Sequence, residues 1–141
     1  MKRTILTLPL LIVLGCATFS QNARKTIYGA DQLADAAMKG WAVYYHDATN
    51  NPAKYHETLV DVEGQHIQVN LTSKSVGASL STAHTMIDAY QAGLATKSQL
   101  QSAVDAALQS APQLVRMVAE FTGNTNLLAN IPKTAKLKHV K

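Results

Sequence analysis

YHETLVDVEGQHIQVNLTSKSVGASLSTAHTMIDAY, residues 55–90, is the stretch on which the fold turns. Tyr55, Leu59, Val62, His66, Val69, Ser73, Val76, Leu80, Ala83, Ile87 and Tyr90 follow one another at alternating steps of four and three. At about 3.6 residues per turn, that spacing lines them along one face of a helix. No proline interrupts the pattern. It predicts a single helix about 55 Å long, at about 1.5 Å per residue. Its weak point is residues 72–77, where polar residues and Gly77 cluster. A break near Ser73 would turn the same segments into a compact four-helix bundle. Val60, Ile67 and Leu71 widen the stripe in the first half, which implies a second neighbour there.

Working outward, residues 27–48 repeat the pattern. Ala30, Ala34, Ala37, Trp41, Tyr44 and Ala48 form a stripe that is small at its start and aromatic at its end. Asn50, Asn51 and Pro52 stop this helix and start the next, because Asn caps and Pro suits a first turn. Downstream, Gly93 is the expected stop, and Thr96 with Gln99 has the form of a capping box. Leu100, Val104, Ala107, Ala111, Leu114, Val118 and Phe121 make a third stripe, with a kink expected at Pro112 and a stop at Gly123. Leu127, Leu128 and Ile131 then offer an apolar patch that can fold back. The predicted architecture is all-α: an elongated up-down-up bundle over residues 26–132 with one long central helix. From the lengths, the three helices would overlap only around residues 64–77, leaving thin two-helix ends.

A chain of 141 residues is one-domain length. Apolar residues make up 47% but aromatics only 6%, so the core rests on alanine and the helices must approach closely. Between residues 26 and 132, five basic residues (Lys39, Lys54, Lys74, Lys97 and Arg116) face all nine acidic ones, leaving the body at −4 despite an overall +4. Positive charge sits at the ends, in Arg24 and Lys25 and in Lys133, Lys136, Lys138 and Lys141. An acidic body between basic ends gives no broad nucleic-acid footprint. The single cysteine, Cys16, rules out an intrachain disulfide.

The N-terminus carries the most specific signal. Lys2 and Arg3 precede an apolar run over residues 5–14, too short to span a bilayer, which takes about 20 residues. The run closes on Val13, Leu14, Gly15 and Cys16. This resembles the lipobox of bacterial lipoprotein precursors. The resemblance implies that residues 1–15 are a signal peptide cut after Gly15. It also implies that the Cys16 thiol takes a diacylglycerol and that the new amine is acylated, with palmitate among the usual chains. Ala17 after the cysteine implies outer-membrane sorting, with the body facing the periplasm or the surface. Residues 16–25 are read as lipidated terminus and tether, and residues 133–141 as a basic flexible tail.

Several side chains are candidates for chemistry. In a tight hairpin centred on Asn51, positions summing to 102 would face each other, pairing His46 with His56 near Asp47 and Glu57. Two imidazoles with adjacent carboxylates are a zinc or copper ligand set. His66 on the inner stripe reads as a hydrogen-bonded packing residue that fixes register. Trp41, Tyr44, Tyr45, Tyr55 and Tyr90 read as a core cluster. No catalytic spacing, phosphate loop or cofactor motif is present, so the expectation is a non-enzyme. It would be tethered to a membrane by lipid and act through contacts with a protein partner, a second copy or the envelope. The segment over residues 35–44 also resembles the first helix of small secreted helical proteins encoded beside lysis genes, which makes a spanin-like lysis accessory the alternative. A periplasmic metal or small-ligand binder is a third expectation.

Overall fold

Two hydroxyl caps set the element boundaries. Thr58 accepts from the Asp61 amide while Asp61 reaches back to the Thr58 amide, and Thr96 and Gln99 do the same one helix later. In the computed structural model, which describes the backbone of residues 7–131 and side chains from residue 17, these caps open α2 (Leu59–Gln91) and α3 (Lys97–Thr122). α1 (Thr7–Asn50) precedes them, and short 3-10 helices follow α1 (Pro52–Tyr55) and α3 (Thr125–Asn130). No strand occurs among the described residues. The fold is an all-α bundle of three long helices, each packed against the other two.

α2 runs through Ser73 and Gly77 without a break, so the four-helix alternative does not form. Of its predicted stripe, Val62, Val69, Val76, Leu80, Ala83 and Ile87 are buried, His66 and Ser73 are half-buried, and Leu59, in the first turn, is exposed. It ends as predicted at Gly93, whose φ of 74° suits a residue without Cβ. There the Gly93 amide donates to the Tyr90 carbonyl and the Leu94 amide to that of Ala89, a Schellman motif. α3 continues through Pro112 and stops at Gly123, also left-handed at φ 66°. Leu100, Val104, Ala107, Ala111, Leu114 and Val118 are buried as expected, and Phe121 is half-buried.

α1 departs from expectation. Its helix does not begin near Ile27 but continues back to Thr7, and Phe19, Ser20 and Ala23 are buried. The reading of residues 16–25 as a tether is therefore corrected, and the boundary at residue 26 falls inside a helix. The physical reason is packing against the far end of α2. Phe19 meets Tyr90 edge-on at 5.8 Å, Gln91 donates to Ser20 at 3.2 Å, and Arg24 pairs with Asp88 at 2.8 Å. α1 thus accompanies α2 along its whole length, and the expected thin end at the α2–α3 turn is three helices thick. At the other end Phe121 of α3 reaches only Trp41, at 6.1 Å. Beyond it, α1 and α2 continue as a pair closed by the Pro52–Tyr55 turn. Residues 1–6 and 132–141, which hold Lys2, Arg3 and the tail lysines, lie outside the described residues, as does the side chain of Cys16.

The buried stripe of α1 is Ile27, Ala30, Leu33, Ala37, Trp41, Tyr44 and Ala48, with Leu33 taking the place expected for Ala34. Alanines at 0% exposure occur on all three helices (Ala23, Ala37 and Ala48; Ala83; Ala107 and Ala111), so methyl groups line the core where the axes come together.

Candidate functional site

Three local arrangements carry polar or exposed apolar groups that packing alone does not explain. The first is the tip between α1 and α2. Cross-helix pairs there are Trp41 with His66 and Tyr45 with Glu63, positions summing to 107 and 108 rather than 102. The 3-10 helix and the extended Thr58 lengthen the connection and shift the register. His46 and His56 are both exposed, and His56 occupies the left-handed region at φ 56°. The carboxylates meant to join them are engaged elsewhere. Asp47 accepts from Lys54, Tyr55 and Asn51. Glu57 accepts from Tyr44 at 2.9 Å and Gln65 at 2.7 Å. Among the described residues no group of three or more His, Cys, Asp or Glu side chains is placed to hold a metal ion.

The Lys54 ammonium, then the Tyr55 hydroxyl, hold the Asp47 carboxyl down at about 2, against 3.8 without them. Burial, then the hydrogen bond to Glu57, raises the Tyr44 phenol. For Asp47 the sign is clear: the folded value lies below the unfolded one. Its contribution to stability is therefore complete above about pH 4 and lost as pH falls towards 2. Asp47→Asn should flatten the acid-unfolding profile across that window, read by circular dichroism along an acid titration.

The second arrangement centres on His66. Its ring stacks on Tyr45 at 4.0 Å and lies near Trp41. The Trp41 indole N–H donates to His66 Nδ1 at 3.3 Å, and the Asn70 amide lies 2.9 Å from Nε2. An indole N–H only donates, so Nδ1 accepts and carries no proton. His66 is thus the hydrogen-bonded packing residue expected from its place on the stripe. Trp41, Tyr44, Tyr45 and Tyr55 gather beside it, while Tyr90 sits at the opposite end with Phe19. Trp41 is the only tryptophan, so its fluorescence reports this contact and should shift in His66→Phe at constant pH.

The third is an uncovered stripe on the first half of α2. Val60, Ile67 and Leu71 are 59–80% exposed. Among the described residues, the second neighbour that the sequence implied for Val60, Ile67 and Leu71 is not found. Val60, Gly64, Ile67, Leu71, Lys74 and Ala78 keep a four-three spacing of their own. Gly64 and Gly77 have open space where a Cβ would stand, so no packing within the bundle accounts for them. Nothing in composition marked this face, because the same residues would have read as core had a fourth helix followed.

Among the described residues no helix is long and apolar enough to cross a membrane. No family model, curated protein or solved structure matches the chain.

Proposed function

We propose that the chain is a lipid-anchored protein of the bacterial envelope that works without catalysis, by offering the outer face of α2 to a helix of a partner protein. The anchor reading is supported by residues 13–16, which place a cysteine directly after a small residue at the end of a short apolar run. The contact reading is carried by one observation, the exposed stripe of Val60, Ile67 and Leu71. Single exposed leucines are ordinary, but several at one helical spacing are the seam of a helix pair. Glycine in a helix interior costs about 1 kcal/mol relative to alanine, and Gly64 on this seam lets another backbone come close.

The experiment expresses the chain with its N-terminus intact in bacteria, with a photocrosslinking residue at the exposed Gln68. Intact mass should show cleavage before Cys16 and acylation. Gln68 should capture a discrete partner. Ile67→Lys with Leu71→Lys should weaken that capture at least about tenfold, since each lost apolar contact is worth about 1.5–3 kcal/mol. Unchanged capture in the double variant rejects the α2 face; an unprocessed, unacylated chain rejects the anchor. A crosslinked mass of twice the protomer would identify the partner as a second copy.

A further inference from the structure

The two ends of the bundle differ in a way that assigns them different surroundings. We propose that the end formed by the start of α1 and the α2–α3 turn rests on an anionic lipid surface, with Leu94 dipping among the headgroups and the α1–α2 tip pointing away. This rests on the anchor reading above. Three observations carry it.

The first is geometry. α1 is helical through residue 16, and Phe19 lies one turn further on, about 4.5 Å along the axis. The Phe19 ring is held from both sides of the α2–α3 turn, by Tyr90 at 5.8 Å and by the Lys97 ammonium at 4.8 Å. An acylated Cys16 therefore brings this turn to the membrane along with it, with no slack between them.

The second is Leu94, the most exposed large apolar side chain among the described residues, at 82%. It follows Gly93 in the Schellman motif, where such a residue commonly packs on the third residue from the helix end. Here that residue is Ala89, and Leu94 remains in the open. No packing among the described residues requires a leucine at this place.

The third is charge. Residues 17–26 and 87–101 hold Arg24, Lys25 and Lys97 against Asp88, a formal +2. Residues 44–65 at the tip hold Asp47, Glu57, Asp61 and Glu63 against Lys54, a formal −3. An anionic surface attracts the first end and repels the second.

The test uses the processed protein purified from membranes in detergent. Leu94→Cys and Asn51→Cys variants receive an environment-sensitive fluorophore, the Cys16 thiol being blocked by its lipid. Each is reconstituted in vesicles of phosphatidylcholine and phosphatidylglycerol with a nitroxide quencher at the headgroup level. The label at 94 should be blue-shifted and quenched several-fold more than the label at 51. An acylated protein with position 94 unquenched, or with position 51 quenched as strongly, overturns the orientation and leaves the anchor reading standing. A mass showing no acyl chain overturns both.

Discussion

Trp41→Ala should destabilise the bundle by about 3–5 kcal/mol, the largest loss expected of any single truncation in this chain. Trp41 is 2% exposed and is the largest fully buried side chain. It touches Tyr44 and Tyr45 on its own helix, His66 on α2 and Phe121 on α3. Removing the indole leaves a void that all three helices line. It also strips the His66 Nδ1 of its donor. Urea unfolding followed by far-UV circular dichroism measures the loss. Trp41→Phe separates the parts: it keeps most of the ring, loses the N–H, and should cost less than the alanine change by the cavity component. A loss under about 1 kcal/mol for Trp41→Ala would mean that the ring does not fill the junction.

Phe19→Ala should cost about 3 kcal/mol, the low end for a buried aromatic, because the residue lies near one end of the bundle. The value matters less than its contrast with zero. Were residues 17–25 a flexible tether, trimming Phe19 would leave stability untouched. In the structure the ring is 7% exposed and packs on Tyr90 beneath Lys97. Ala23→Asp provides the companion measurement: it places a carboxylate at a position with 0% exposure and no partner. Hydrogen exchange over residues 17–26 should show protection in the native chain and lose it in both variants. No protection over these residues in the native chain, with an unchanged midpoint in Phe19→Ala, would restore the tether.

The tether is also where the sequence was most misleading. Phe19, Ala23, Ile27 and Ala30 follow steps of four, four and three, the same beat as the stripe further on. The signal was present but carried by alanine, whose methyl group adds little to an apolar count, and it was masked by Ser20, Gln21, Asn22, Arg24 and Lys25. The elements legible from residues alone were those set by local chemistry. The Thr96–Gln99 capping box, Gly93 and Gly123 act within one turn of themselves, so their meaning does not depend on what packs nearby. The Thr58–Asp61 box, which starts α2 in place of Asn51 and Pro52, was not read. The metal reading at His46 and His56 failed to gain a ligand set for the opposite reason. It depended on register, and register was decided by a 3-10 turn and one extended residue that change the pairing by five or six positions. The exposed face of α2 was illegible in principle. Whether Ile67 or Leu71 is buried depends on how many helices surround α2, which spacing does not count.

Between residue 16 and residue 50, α1 holds no proline and runs as one helix. A lipid at its root would thus meet a stiff rod rather than a leash. Nine flexible residues would let the body wander about 15–18 Å from its attachment point. A helix removes that search volume and replaces it with a fixed height. The Trp41–His66 contact sets the middle of the α2 face level with residue 41, twenty-five residues from position 16. That is about 37 Å along the axis. Any partner for this face would have to present its own helix in a layer at that height, so distance from the bilayer would select it before sequence did.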